Sequence, residues 1–268
     1  MERGRRIDLA GRPSLYVSES PGTGLPIVFS NSLAADLSMW NGVRERLSRP
    51  SVAYDTRGHG QSAVGTGPCA ISDLADDALA VMDAVGLDRA VICGLSLGGA
   101  TAMAVAETAP QRVAGLVLAN TAVTFPPREL WQERAEKARS GNYPALVEPT
   151  LDRWLTESFR AAQPDAAEQV RAMIAAIPPD GYAACCEALA SADLRSEMRS
   201  YGGQVMVIAG AHDTSTPVAR AEEIQALSPK AELVVLEAAH LSSVEAAAAF
   251  ADHLERFAAA VERDHVHV

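Results

Sequence analysis

Short apolar runs alternate with longer amphipathic segments along most of this chain. The runs are apolar at both odd and even positions, as expected of strands covered on both faces of a parallel sheet. They lie at residues 26–30, 51–55, 91–95, 113–119, 204–209 and 232–236, and segments with helical spacing lie at 72–85, 217–227 and 244–261. This alternation predicts an α/β fold with a mostly parallel, doubly wound sheet.

Turn and cap residues mark the ends of several predicted elements. Gly11-Arg12-Pro13 separates the extended stretches 7–10 and 15–19, which predicts an N-terminal hairpin. Polar residues before two amphipathic stretches predict helix N-caps, and a glycine predicts one helix end. The expected caps are Asp36 or Ser38 for a helix through Trp40, and Ser72 or Asp73 for the helix that stops at Gly86.

One long segment interrupts the alternation of strands and helices. From Pro126-Pro127 to about Ser200 the pattern is helical and has no strand-like run. Breaks at Gly141, near Pro164 and at Pro178-Pro179 divide it into predicted helices at 128–140, 143–157, 165–176 and 180–191. The sequence therefore predicts a core formed by residues 1–123 and 201–268, with an inserted all-helical cap of residues 124–200.

The run at 91–95 leads into a serine flanked by glycines. Gly94-Leu95-Ser96-Leu97-Gly98-Gly99 lies between a predicted strand and a predicted helix of small residues. This order is typical of the nucleophile elbow of α/β-hydrolases, where a strained turn exposes the serine and leaves room only for small neighbours. The N–H of Leu97 would lie at the helix N-terminus, where it can stabilise an oxyanion.

Two loops after the last two predicted strands supply partners for Ser96. Asp213 follows the strand at 204–209, and His240 follows the strand at 232–236. Both loops leave the carboxyl edge of the sheet, which is where open parallel sheets bind ligands. The order Ser, Asp, His along the chain is that of α/β-hydrolases, so the pattern predicts a catalytic triad.

Other roles for the histidines stay open on sequence alone. His59 lies in a Gly-His-Gly turn after the strand at 51–55, and it is an alternative base, although the glycines favour a role in the turn. His240 is alternatively a buried structural histidine. The position of His240 at a strand end favours the catalytic role.

Composition limits the classes of partner. The 268 residues are 48% hydrophobic and 21% charged, which suits one soluble domain with a sizeable core. The net charge of −11 argues against nucleic acid or an anionic membrane surface, and it requires a local cation wherever an anionic substrate binds. The sequence sets no oligomeric state.

The cysteines and the N-terminus favour a reducing compartment. Cys69, Cys93, Cys185 and Cys186 form no Cys-x-x-Cys pair, so we expect buried free thiols and no metal site. No apolar run follows the basic residues of 1–8, so no signal peptide is expected. No run is long enough to span a membrane. These features predict a cytoplasmic protein.

A resemblance to a known family extends over nearly the whole chain. The motifs that carry it are Asn31-Ser32-Leu33 with Asp36 to Trp40, Tyr54 to Ser62, Cys93 to Gly99, Asn120 to Ala122, Arg134 to Arg139, Arg153-Trp154, Gly181-Tyr182, Cys186 to Ala188, Ala192 to Arg195, His212-Asp213 and His240 to Ser242. In these motifs the chain resembles the 3-oxoadipate enol-lactonases, which are cofactor-free α/β-hydrolases of aromatic degradation. The Asn-Ser-Leu loop and the cap motifs distinguish this subgroup from other α/β-hydrolases.

The resemblance implies a role for each matching residue. Ser96 would be the nucleophile, His240 the base and Asp213 the group that orients the base. The backbone N–H groups of Leu33 and Leu97 would form the oxyanion hole. The resemblance also implies a small-molecule lactone or ester as substrate, and it implies no cofactor.

The predicted cap supplies candidates for substrate binding. A carboxylated substrate needs a cation in this acidic protein, and we expect Arg134 to provide it, with Trp131 and Trp154 as apolar walls. The alternatives are a solvated Arg134 paired with Glu133 or Glu136, and tryptophans that only fill the core of the cap. Phe125-Pro126-Pro127 departs from the family pattern near the expected pocket and leaves the choice of substrate open.

Several other functions share the core motifs. Another cap-bearing serine hydrolase, such as a carboxylesterase, a different lactonase or a cofactor-free perhydrolase, would fit the triad equally well. A non-catalytic ligand receptor on the same fold is a further alternative, which the intact triad disfavours. Haloalkane dehalogenases and epoxide hydrolases are disfavoured because they have Asp at the elbow, where this chain has Ser96.

Overall fold

The computed structural model describes residues 3–228 and 230–266, and within them one sheet of eight strands forms the centre of the molecule. The interior strands are short and fully buried, as the apolar runs predict. The strands are β1 (Arg3–Ile7), β2 (Leu15–Ser20), β3 (Ile27–Ser30), β4 (Ser51–Tyr54), β5 (Ala90–Leu95), β6 (Val113–Ala119), β7 (Val205–Gly210) and β8 (Ala231–Leu236).

The strand order is β1-β2-β4-β3-β5-β6-β7-β8. Strands β1, β2 and β4 pair antiparallel, and every other pairing in the sheet is parallel. The N-terminal hairpin is present, but the prediction that its first strand covers 7–10 is wrong. That strand runs from Arg3 to Ile7, where Arg3 pairs with Glu19 and Ile7 with Leu15. Period-two alternation is weak there, because charged residues occupy the edge strand.

Helices cover the sheet and form the segment between β6 and β7. Within the described residues the α-helices are α1 (Asn41–Arg44), α2 (Ile71–Ala84), α3 (Leu97–Thr108), α4 (Arg128–Lys137), α5 (Val147–Trp154), α6 (Glu157–Ala162), α7 (Pro164–Ala175), α8 (Pro179–Ala190), α9 (Arg195–Ser200), α10 (Val218–Leu227), α11 (Ser242–Glu245) and α12 (Ala247–Val266). Short 3-10 turns lie at Leu37–Trp40, Pro110–Arg112 and Tyr143–Leu146, and a π turn at Ala138–Asn142. Helix α2 packs on α3 and α1 packs on α12, while both α3 and α12 contact β6. The mostly parallel, doubly wound α/β-hydrolase architecture is confirmed.

The helix caps agree with the sequence in part. Asp36 is the N-cap of the 3-10 turn before α1, where its carboxylate accepts the N–H of Ser38 at 2.9 Å. Helix α2 starts one residue earlier than predicted, and its N-cap is Ala70 rather than Ser72 or Asp73. The Asp73 carboxylate instead accepts the N–H of Ala70 at 2.8 Å, as the third residue of a capping box does.

The segment between β6 and β7 differs from the predicted helices at one point that matters for the site. The predicted helix 143–157 begins as a 3-10 turn, and α5 ends at Trp154. Thr156 then caps α6 by accepting the N–H of Phe159 at 3.2 Å. A bridge between Thr124 and Asp193 brings the two ends of the segment together. In the part of the chain that the structure describes, none of the helices combines the length and apolar character needed to cross a membrane.

Candidate active site

Ser96 lies at the sharp turn between β5 and α3. Its backbone has φ +57° and ψ −112°, a combination that residues other than glycine rarely adopt. A Cβ on Gly94 would lie 2.0 Å from the carbonyl oxygen of Gly98, and a Cβ on Gly98 would lie 2.0 Å from that of Ser30. The glycines around Ser96 are therefore required by backbone contact, and they hold a strained serine at the carboxyl edge of the sheet.

Asp213 and His240 meet beside this edge. His240 Nδ1 lies 2.8 Å from Asp213 Oδ2, and both side chains are almost fully buried. The other carboxylate oxygen, Oδ1, accepts the backbone N–H groups of Ser215 and Thr216 at 2.8 and 3.0 Å. The carboxylate is thus fixed on both oxygens, and it can hold the imidazole ring in one orientation with Nδ1 protonated.

Two residues that sequence reasoning missed complete the surroundings of Asp213. The Asn120 side-chain amide donates to Asp213 Oδ2 at 3.0 Å and to the carbonyl of Ala239 at 3.2 Å. Thr216 Oγ1 donates to the same carboxylate oxygen at 2.7 Å. Burial raises the pKa of Asp213, but His240 and these hydrogen bonds outweigh it and hold the pKa below its ordinary value. Asp213 therefore stays ionised, as an orienting carboxylate must.

Ser96 and His240 line the same cavity, about 50 Å³ in volume. Among the described residues, no side chain forms a hydrogen bond with Ser96 Oγ. Serine–histidine hydrogen bonds of this kind are commonly long without substrate and shorten in the complex. The Ser96 hydroxyl, which has no side-chain partner among the described residues, and the buried His240 imidazole therefore line one small cavity.

The loop after β3 forms the opposite wall of this cavity. Ser32, Leu33 and Ala34 line it, and Ala34 has a positive φ of +65°. Within the described chain, the N–H groups of Leu33 and Leu97 donate to no protein acceptor, and Leu97 is the first residue of α3. Two unengaged N–H groups, one at a helix N-terminus, suit an oxyanion hole.

His59 supports this loop and does not line the cavity. Its Nε2 accepts the N–H of Ala34 at 3.1 Å, and its Nδ1 lies 3.1 Å from the carbonyl of Arg57. The ring is fully buried, and burial lowers the pKa of His59 to about 4. Both nitrogens are engaged in these bonds, so His59 has the turn role that its glycine neighbours favour, and the alternative of a catalytic base is wrong.

All three cap residues predicted to bind substrate line the cavity with Ser96. The Arg134 guanidinium stands over the Trp131 ring, 4.9 Å from its centroid, which is a cation–π geometry. The Trp131 indole N–H donates to the carbonyl of Phe125 at 2.6 Å. The Trp154 ring lies 6.1 Å from that of His240. The structure thus places Trp131, Arg134 and Trp154 around one cavity with Ser96 and His240.

A second cation in this cavity was missed. Arg153 lines it and donates to Thr150 Oγ1 at 3.2 Å. Among the described residues, neither Arg153 nor Arg134 pairs with a carboxylate. Burial and the nearby charge of Arg134 both lower the pKa of Arg153. In the sequence, Arg153 lies beside Trp154 in a predicted cap helix and in a motif of the family resemblance, but neither feature gave this arginine a role.

The end of α5 is joined to the loop that carries His240. The N–H of Leu241 donates to the carbonyl of Trp154 at 3.0 Å. The Glu245 carboxylate accepts the N–H of Ala239 at 2.9 Å, and it also accepts the hydroxyl of Thr156. The residues on both sides of His240 are therefore held by contacts that include the cap segment.

The residues described by the structure include no cluster of three or more His, Cys, Asp or Glu side chains suited to a metal ion. Cys69, Cys93, Cys185 and Cys186 are all buried and free.

The chain is similar in sequence and in fold to several known proteins. The sequence model of the alpha/beta hydrolase fold family matches residues 26–247. 3-Oxoadipate enol-lactonase 2 of Acinetobacter baylyi is 37% identical over 226 residues, which cover 84% of this chain and 85% of that protein. The crystal structure of the enol-lactonase from Burkholderia xenovorans LB400 superposes with a TM-score of 0.91 at 36% identity, covering 94% of this chain and 99% of that one. A thermophilic esterase from Thermogutta terrifontis superposes with a TM-score of 0.89 at 27% identity, covering 97% and 99%.

Proposed function

The chain belongs to the alpha/beta hydrolase fold family, and we propose that it opens the ring of 3-oxoadipate enol-lactone to give 3-oxoadipate. Its relatives make it an ester-hydrolysing enzyme of the 3-oxoadipate enol-lactonase type. The choice of this lactone, and of the residues that act on it, is the proposal.

The observation that carries the proposal is the pair of guanidinium groups in the cavity of Ser96. Arg134 and Arg153 line this cavity without a carboxylate partner among the described residues, in a protein of net charge −11. Both arginines are half-buried, and a cation that is partly shielded from water without a counter-ion is unfavourable. A ligand carboxylate would offset that penalty. The proposed lactone carries one free carboxylate beside its ring. A neutral ester would leave both cations unpaired.

The acyl chemistry follows from the elbow and the triad. Ser96 Oγ attacks the lactone carbonyl while His240 Nε2 takes its proton, and Asp213 stabilises the resulting imidazolium. The N–H groups of Leu33 and Leu97 hold the oxyanion. Loss of one such donor typically lowers the rate about 10²–10³-fold.

The leaving group explains why an enol-lactone suits this site. Ring opening expels an enol oxygen, which takes the proton from His240 and stays tethered to the acyl-enzyme. An ordinary alcohol in that position could close the ring again. The enol instead becomes a ketone, which is a poor nucleophile, so water activated by His240 attacks the acyl-enzyme and releases the acid.

Loss of the ultraviolet absorbance of the enol-lactone, followed with purified protein, tests the proposal. The wild-type chain should consume the lactone, and Ser96→Ala should abolish this while remaining folded. Arg134→Met and Arg153→Met should each raise KM for the lactone about tenfold or more, and should change KM for p-nitrophenyl acetate far less. No turnover of the lactone beside rapid hydrolysis of the neutral ester would contradict the proposed substrate.

A further inference from the structure

A second cavity adjoins the one that contains Ser96, and the proposed lactone does not account for the part of it that lies beyond the shared Arg134 and Arg153. Its volume is about 240 Å³, against about 50 Å³ for the inner cavity. The two share six lining residues: Phe125, Trp131, Arg134, Arg153, Ser215 and Thr216. The outer cavity extends from these residues to Leu130 of the cap and to Arg220 of α10. The space available to a ligand therefore continues well past a single small ring.

The outer cavity has the chemistry of an anion site. Arg134, Arg153 and Arg220 all line it, and none of the acidic residues that the structure describes does. Arg220 pairs with Glu223 on its own helix at 3.2 Å, with the two side chains 35% and 33% exposed. Exposed pairs of this kind contribute little, so a carboxylate ligand can take the place of Glu223 at low cost. A locally positive cavity in a protein of net charge −11 attracts small anions selectively.

The order of groups along the joined cavities defines the length of ligand that they fit. Ser96 and His240 line only the inner cavity, Arg134 and Arg153 line both, and Arg220 lines only the outer one. A lactone with a short acidic arm reaches the shared arginines. An extended acyl chain with its acid at the far end can continue to Arg220.

We propose that the outer cavity is a second carboxylate subsite, and that the enzyme also hydrolyses open-chain monoesters of α,ω-dicarboxylic acids whose free carboxylate binds at Arg220. This rests on the nucleophilic role given to Ser96 above, but not on the enol-lactone. Ser96 Oγ bonds to the acyl carbon, and the ester oxygen leaves as an alcohol with the proton held by His240. Water then cleaves the acyl-enzyme, so the products are one alcohol and one dicarboxylate, and no other reactant is needed.

The test is a homologous series of substrates with the full-length enzyme. Methanol release is measured for the monomethyl esters of succinic, glutaric and adipic acid, and for the corresponding neutral dimethyl esters. We expect kcat/KM to be higher for each monoester than for its diester, and to rise from succinate to adipate. Equal rates for monoesters and diesters, or no dependence on chain length, would overturn the proposal.

Arg220→Gln identifies the subsite. In this variant the kcat/KM for monomethyl adipate, divided by that for monomethyl succinate, should fall about tenfold, the loss expected when one charge-assisted hydrogen bond is removed. Arg171→Gln is the matched control, because it removes the same charge from an exposed cap arginine that pairs with Glu148. The same ratio in the wild type, Arg220→Gln and Arg171→Gln would overturn the subsite.

The enol-lactone is measured in parallel, so that the two proposals fail separately. Turnover of monoesters without turnover of the lactone would refute only the proposed physiological substrate. Turnover of the lactone with no preference for monoesters would refute only the second subsite.

Discussion

His59 should control the proposed oxyanion hole from outside the cavity, and its replacement tests this directly. His59→Phe keeps a ring of similar size but removes the acceptor for the Ala34 N–H and the donor to the Arg57 carbonyl. The N–H of Ala34 lies in a buried residue, and leaving it without a partner costs about 1–3 kcal/mol, so the free energy of unfolding should fall by about that amount. The Leu33 N–H lies one residue from the lost bond, and its displacement should lower kcat up to about 10²–10³-fold.

A conservative variant separates support of the loop from simple loss of stability. His59→Gln retains an amide oxygen that can accept the Ala34 N–H, so kcat should recover most of the loss seen in His59→Phe. His253→Gln on α12 is the control, because His253 lies far along the chain on a partly exposed helix surface. Urea unfolding and kcat for the enol-lactone are measured for all three. Wild-type kcat in a folded His59→Phe protein would refute the role of His59.

The same histidine makes a prediction about acid. Burial lowers the folded-state pKa of His59 to about 4, from an ordinary value of 6.5. Because the unfolded chain binds the proton first, this contribution to stability is complete above pH 6.5 and is lost as the pH falls towards 4. The loss is about 3 kcal/mol, from 1.36 kcal/mol for each pKa unit. His59→Gln has no imidazole to protonate, so the free energy of unfolding should fall more for the wild type than for this variant between pH 6.5 and 4. The same change in the free energy of unfolding with pH in both proteins would refute the low pKa given to His59.

Three further substitutions test other contacts. Gly98→Ala places a Cβ against the Ser30 carbonyl, so it should lower the free energy of unfolding by about 1–3 kcal/mol or prevent folding. Gly202→Ala is the control, because its Cβ would meet no atom within 4 Å, and it should leave stability unchanged. Urea unfolding of the two variants measures the difference. Asn120→Ala removes a hydrogen bond to the Asp213 carboxylate and should cost about 1–3 kcal/mol at neutral pH, measured by the same method. Glu245→Ala should lower kcat about tenfold or more with little change in KM, because it frees the backbone beside His240 rather than a substrate contact.

The sequence predicted the features that depend on local pattern. Strands buried on both faces need continuous apolar runs, so β3 to β7 could be placed within about one or two residues. Ser96 follows β5, Asp213 follows β7 and His240 follows the neighbouring strand β8. The topology of a parallel sheet brings these strand ends to one edge. Position in the chain was therefore sufficient to predict that they meet.

Other features depend on contacts that no local pattern encodes. Asn120 follows β6 as Asp213 follows β7, but only the folded chain reveals that its amide bridges Asp213 and the His240 loop. Arg153 differs from a solvated cap arginine only because α5 turns it into the cavity. The end of α5 at Trp154 was also missed, because the break before Thr156 has no glycine or proline to mark it.

The contacts between the end of α5 and the His240 loop have a consequence for how such enzymes can be recombined. By chain order, residues 124–200 look like a cassette that could be exchanged to change the substrate. Trp154 and Thr156 lie inside that cassette, yet they hold the backbone on both sides of His240 through Leu241 and Glu245. Replacing the whole segment would therefore also replace the contacts that hold the backbone beside the recipient enzyme's own histidine. A chimera that takes only residues 124–142 from a relative, and keeps residues 147–156 with the core they contact, should retain its kcat while its substrate preference changes.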